Sequence, residues 1–264
     1  MNVFIREMKA HRKSLIIWGI CIILMIVSGM GKYSSVYSGN SMNEIFNKMP
    51  KGLQAIMGGG ALNLSKVSGY YGMLYLYLVL MATIHASMMG ADIISKEERD
   101  KTFEFLMVKP TSREKIITSK LLAALLNIVI FNIINLIFSI ILVAPYAKGE
   151  SVNDDIVILI IGMFILQLIF LFIGTSVAAI SKNPKTANSL TTAILLVTFM
   201  LSVIIDMNEK LIDLKYLTPF KYFEAKDLMY GGGFNPVFLT LSAVIIFMLL
   251  GITYVFYKKR DLSL

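Results

Sequence analysis

One cysteine and two histidines are all that 264 residues supply of the side chains that most often cross-link a chain or grip a metal. Cys21 alone permits no intrachain disulfide, and inside an apolar stretch it is expected to be a small core residue. With only His11 and His85, a His-rich metal site is excluded. Charge is scarce as well. Charged residues are 16% against 56% hydrophobic, and the mean hydropathy is +0.72, too little polar surface to wet a soluble globule of this size. No G-x-x-x-x-G-K-[ST] occurs, and Gly58-Gly59-Gly60 lacks the lysine that would follow, so the chain has no P-loop phosphate cradle. The polar–apolar alternation of β-barrel strands is missing, as are strong internal repeats and low-complexity tracts.

What the chain has instead is long apolar runs. A helix rises about 1.5 Å per residue, so roughly 20 apolar residues cover a ~30 Å hydrocarbon core. Six stretches qualify: Ser14–Met30, Tyr70–Ile94, Leu121–Val143, Ile156–Ile180, Ala187–Ile205 and Val237–Tyr257. The fold class expected is an all-α polytopic membrane protein, one transmembrane domain over residues 1–264. Arg6, Lys9, Arg12 and Lys13 before the first run give it the look of a signal peptide, but no convincing cleavage site follows, so it reads as a retained span.

Basic residues set the orientation. With both termini in the cytosol, sixteen of the 25 Lys and Arg fall on the short inside segments, while nine Lys on the outside loops are cancelled by nine Asp or Glu. The net charge of +8 is thereby explained by topology and anionic headgroups, which leaves no call for nucleic acid as a partner. The expected location is the cell membrane, multi-pass.

Outside the spans, Asn2–Lys13 mixes Val3, Phe4, Ile5 and Met8 with four cations, the pattern of an amphipathic helix lying in the inner interface. The external loops are 31–69, 144–155 and 206–236. The first holds a capping box, Ser41-Met42-Asn43-Glu44, and a run around Leu53 and Ile56, expected as small helices against the membrane. The third holds Thr218-Pro219-Phe220-Lys221-Tyr222-Phe223-Glu224 and Gly231-Gly232-Gly233, expected as a re-entrant or surface-lying helix pair.

Between the second and third runs, Ser95–Lys120 is dense in start and stop signals. Ser95-Lys96-Glu97-Glu98 reads as a capping box starting a helix on which Phe103, Leu106 and Met107 share one face. Pro110 stops it, and Thr111-Ser112-Arg113-Glu114 starts another. The product is a helix–break–helix elbow in the cytosol, specified more closely than a tether needs.

The run Glu98-Arg99-Asp100-Lys101-Thr102-Phe103-Glu104-Phe105-Leu106-Met107-Val108-Lys109-Pro110-Thr111-Ser112-Arg113 resembles the signature of ABC-2-type transporter permeases. In them an acidic residue, a Gly-Thr pair, a Glu, two Leu-like positions and a Pro-x-Ser-Arg follow the second transmembrane helix. Lys101 stands where many members have Gly, which touches the local turn and not the helix around it. The likeness extends to the N-terminal interfacial helix, the six spans, the Pro-Phe-Lys-Tyr-Phe segment and the basic tail.

The resemblance implies the membrane-spanning subunit of an ATP-binding-cassette exporter, not itself an enzyme. Its partners would be ABC ATPase subunits carrying ATP and Mg, a second permease copy or paralogue, and membrane lipids. It would bind no cofactor on this chain. The elbow would fit a groove on the ATPase, with Glu98, Thr102, Glu104, Pro110 and Arg113 in docking or elbow-stabilising roles and Phe103, Leu106 and Met107 supplying buried contact area. An amphipathic, peptide, drug or lipid-like cargo would suit the apolar spans.

Other readings stay open on the sequence: an ATPase-independent carrier or channel, a membrane enzyme, or a sensing or immunity component of an ABC complex. The carrier would need a polar midplane site. His85 is the deep ionisable residue, two turns from Asp92, and is either a pathway residue or a buried hydrogen-bonding group. Asn127, Asn132, Asn135, Gln167, Thr191 and Thr192 are expected to bond between helices.

Overall fold

The computed structural model describes residues 3–33, 48–50, 52–54, 62–100, 112–147, 149–181 and 183–259. Each apolar run lies within one long helix: α1 (Val3–Lys32), α2 (Val67–Arg99), α3 (Arg113–Ala147), α4 (Asn153–Ile180), α5 (Ala187–Met207) and, after a six-residue α6 (Ala225–Tyr230), α7 (Pro236–Lys259). All six long helices have the length and apolar composition to cross a membrane, and no strand occurs among the described residues. Lateral contacts place both ends of the described chain, the end of α2 and the start of α3 together at one end of the bundle, here termed the base.

Several local expectations give way. Residues 3–13 form no separate interfacial helix; α1 runs unbroken from Val3 to Lys32. No Pro or Gly interrupts residues 3–18, and Glu7 and His11 are buried in the bundle instead of facing headgroups. Ser95 is no cap either. It lies inside α2, where its hydroxyl donates to the Ala91 carbonyl oxygen at 2.8 Å. The cap that does form is Ser112, whose carbonyl accepts from Ile116 N and whose hydroxyl accepts from Lys115 N at 3.4 Å, one residue later than expected. Segment 206–236 makes two 3-10 stretches (Glu209–Leu217 and Pro219–Lys221) and the short α6, with no helix pair. Gly232 and Gly233 follow at positive φ, where a side chain would be strained. Of the first external loop, the Ser41 capping box and residues 55–57 lie outside the described residues.

The centre of the bundle is the α2–α4 pair. α2 presents Ala82, Ala86 and Gly90 at four-residue spacing, and α4 answers with Gly174 and Ala178. A Cβ on Gly90 would run into the Leu171 carbonyl, and one on Gly174 into the Ser87 carbonyl, so the backbones touch. In lipid, where tails compete for every apolar face, such close approach is what holds helices together. α1, α5 and α7 are peripheral and carry exposed apolar rows, among them Ile16, Ile20 and Leu24 on α1 and Val244, Phe247 and Met248 on α7. Cys21 belongs to the exposed face of α1 and is not the core residue expected.

Alanine is the better helix former by about 1 kcal/mol, so any loss on replacing these glycines comes from the crossing. Gly90→Ala and Gly174→Ala are expected to destabilise by about 1–3 kcal/mol, as overpacked cores do. Gly251→Ala, whose added methyl meets nothing, should hold or gain stability. Unfolding in mixed micelles with a denaturing detergent measures this; indistinguishable midpoints would mean the crossing is loose.

Candidate functional site

The segment expected to form an elbow is flanked by the last turn of α2 and the first turns of α3. Of the residues expected to act there, Glu98 and Arg113 are placed; Thr102, Phe103, Glu104, Leu106, Met107 and Pro110 lie outside the described residues. Glu98 is half-buried at the end of α2. Arg113 opens α3 and donates through Nη1 to the Lys258 carbonyl oxygen, 3.0 Å away on α7. Glu114 pairs with Lys258, and the Thr118 hydroxyl lies 2.8 Å from Tyr254 Oη. The start of α3 is thus held by the end of the last helix.

The end of α2 is held more deeply. On α3 the spacing of Ile116, Ile117, Lys120, Ala123 and Ala124 builds one buried face, and it carries the Lys120 side chain inward to complete burial. Its ammonium donates to the Ile93 carbonyl at 2.6 Å and pairs with Glu97, both on α2. Glu97 also accepts from Arg6 Nη2 of α1 at 2.6 Å, and the same guanidinium reaches Glu7 at 2.8 Å. Two cations and two carboxylates from three helices therefore close on one another. A burial this complete is tolerable only with such matching, because an unmatched interior charge costs several kcal/mol. One turn and a half along α2, Asp92 ties Arg99 (2.7 Å) to Asn188 of α5 (2.8 Å).

Sequence reasoning passed over Arg6, Glu7, His11, Glu97, Lys120 and Asn188. The signal was present for two of them. Lys120 falls on the apolar stripe of α3, and Glu97 falls four residues after Ile93 on the packed face of α2. A charge in the register of a buried stripe needs a partner on another element.

Deeper in the bundle, polar side chains join helices at Asn132 and Gln167. Asn132 Nδ2 donates to Gln167 Oε1 at 2.5 Å, and Gln167 Nε2 donates to the Ala82 carbonyl at 3.1 Å, linking α3, α4 and α2. Asn127 reaches Met8 Sδ, and Asn135 reaches Met163 Sδ. Thr191 and Thr192 do not bridge; each donates to a carbonyl of its own helix, Ala187 and Asn188. His85 does not meet Asp92, whose carboxylate is engaged by Arg99 and Asn188. Its ring lies between Trp18 of α1 (5.5 Å) and Phe131 of α3 (5.0 Å), and neither nitrogen has a protein partner. No group of three or more His, Cys, Asp or Glu fit for a metal occurs among the described residues.

At the far end, the segment beginning at Thr218 works as a staple. Phe220 packs on Phe170 of α4 and Phe199 of α5, while Tyr222 stacks 4.9 Å from Phe238 of α7 at 9°. Lys221, nearly buried, pairs with Asp206 and Glu224. Burial pushes the Tyr222 phenol up to about 12, so it stays a neutral donor to the Tyr216 carbonyl (2.5 Å) at any ordinary pH. Burial, with Glu224 nearby, also raises the Asp227 carboxyl above its usual range.

Removing one charge of the base cluster leaves its counterpart stranded, so Glu97→Gln is expected to destabilise by about 3–5 kcal/mol. Combining Glu97→Gln with Lys120→Met leaves the Arg6–Glu7 pair balanced and should recover most of that loss. Unfolding midpoints of the single and double variants in mixed micelles measure the coupling; a double variant as poor as the sum of the singles would refute charge matching.

A comparison with curated proteins finds no match. The family model described as ABC-2 family transporter protein matches residues 1–262, essentially the whole described bundle. Six helices long and apolar enough to cross a membrane agree with that assignment. The chain belongs to the ABC-2 family of transporter proteins and is an integral-membrane permease component of an ABC transporter.

Proposed function

We propose that this permease is driven by a separate ABC ATPase subunit that docks on the segment between Glu98 and Arg113, and that it exports an amphipathic, peptide, drug or lipid-like substrate. The observation that carries the reading is the anchoring of that segment at both ends. Its entry is fixed to α1 and α3 through Glu97, Arg6 and Lys120, and its exit is fixed to α7 through Arg113, Glu114 and Thr118. A displacement applied at these two ends reaches four helices.

In this reading Thr102, Glu104 and Arg113, which match the family motif, dock or brace the elbow together with Glu98 and Pro110. Phe103, Leu106 and Met107 contribute apolar contact. ATP and Mg act on the partner subunit. The excess of Lys and Arg at the base supports a cytosolic side for both termini. The exposed apolar rows of α1, α5 and α7 suit lipid chains and a second permease copy or paralogue. A role in sensing or immunity within an ABC complex uses the same docking and differs only in moving no cargo.

Affinity purification in mild detergent is expected to bring down an ATPase of nucleotide-binding-domain size. Glu104→Lys and Arg113→Glu should each lower its recovery several-fold while the permease remains folded. Full recovery of ATPase and undiminished transport in both variants would sink the docking assignment.

A further inference from the structure

Among the described residues seven buried polar side-chain atoms find no hydrogen-bond partner, and five of them belong to α1, α2 and α3: His11 Nε2 (3.9 Å from Glu7 Oε2), His85 Nδ1 and Nε2, Asn127 Oδ1 and Asn132 Oδ1. The seam lies where α1, α2 and α3 meet, with α4 at its border. Asn127 Nδ2 donates to Met8 Sδ (3.1 Å) and to the Ala123 carbonyl (2.8 Å), so the amide sits beside the stretch of α1 that carries Glu7 and His11. One turn along α3, about 6 Å away, Phe131 lies against His85. In the opposite direction Lys120 is seven residues from Asn127, roughly 10 Å along the helix axis. Asn132 spends its amide nitrogen on Gln167 and Ile128, which leaves its oxygen bare.

A neutral imidazole has one donor and one acceptor, and an amide oxygen accepts twice. Buried groups of this kind are otherwise bonded to protein or to ordered water, because leaving them bare in apolar surroundings is costly. The bare atoms come from three helices that meet at Met8–Asn127 and at Trp18–His85–Phe131, and interior water is held where several polar partners converge. No three His, Cys, Asp or Glu side chains among the described residues are placed together to hold a metal there.

We propose that this seam binds a short file of water running from the Glu7–Glu97–Lys120 cluster past Asn127 to His85, and that His85 is a proton-binding site inside the bundle. A proton arriving along the water adds to the free lone pair of the ring and raises its charge from neutral to +1. The ionisable groups around the file are Arg6, Glu7 and His11 on α1, Lys120 on α3, and Asp92, Lys96 and Glu97 on the His85 helix itself. Arg6 and Lys120 match Glu7 and Glu97 in number, and Asp92 is held by Arg99 and Asn188. α4 brings only the neutral Gln167 to the seam. The proposal stands on this packing alone and does not depend on how the permease is powered.

Deuterium exchange at the histidine C2 position, read by mass spectrometry of the full chain in detergent, reports water access and protonation of each ring. With two histidines the signals are separate. His85 is expected to take up deuterium in the folded protein at a rate that titrates with pH, and Asn127→Leu is expected to slow it several-fold relative to His11. No uptake at His85, under conditions that label it in the unfolded chain, overturns the proposal; so does an unchanged rate in a folded Asn127→Leu variant. Should that variant fail to fold, Trp18, the one tryptophan of the chain, supplies a second measurement. Its emission is expected to fall on acidification and to lose that response in His85→Gln. Identical responses in the two proteins overturn the site.

Discussion

An ammonium group with no solvent contact has to be met entirely by protein atoms, and the way Lys120 is met organises the base of this bundle. Glu97 and the Ile93 carbonyl fix α3 against α2, and the second interaction of Glu97, with Arg6, draws α1 into the same knot. Apolar replacements for all four charges are often as stable, since desolvation takes back most of what buried ion pairs contribute. What the charges add is register. An apolar face tolerates sliding by a turn, whereas a buried cation matched to one carboxylate and one carbonyl does not.

That register matters because of what lies next to it. The connection from α2 to α3 emerges directly beyond Glu97 and returns seven residues before Lys120, so the knot sits at the root of both arms. The far end of the bundle is closed by different chemistry. There Phe220 and Tyr222 plug aromatic surface between α4, α5 and α7, with Lys221 matched to Asp206 and Glu224 beside them. Between the two ends the helices pack large apolar side chains, among them Leu78, Phe131 and Phe170, around the close α2–α4 contact and a few amides. Ion pairs and stacked aromatics fix the two ends, while the middle, where His85 lies, is held by apolar packing.

The six long helices were legible because twenty consecutive apolar residues form a signal that few other structures produce. Which face of each helix packs inward was not. In lipid both faces are apolar, so hydropathy does not distinguish Cys21 on the exposed side of α1 from Ile22 and Ile26 on the packed side. Capping-box patterns misled at Ser95 because the Ser-x-x-Glu spacing also occurs mid-helix, where the amides it would cap are already bonded. The separate N-terminal helix failed for a related reason: cations next to apolar residues suggested headgroups, while Arg6 has carboxylates on its own and a neighbouring helix. The elbow was the reverse case. Its motif identified the family, yet the residues that root it, Glu97 and Lys120, carry no motif and show only in the register of a buried stripe.

The α2–α4 crossing has one further consequence. Backbone resting on backbone at Gly90 and Gly174 has no rotamers to rearrange, so the contact has no way to absorb a small shift by repacking. A tilt imposed on α2 from the base must therefore reappear, reversed, beyond that point, as it does in a rod turning on a hard bearing.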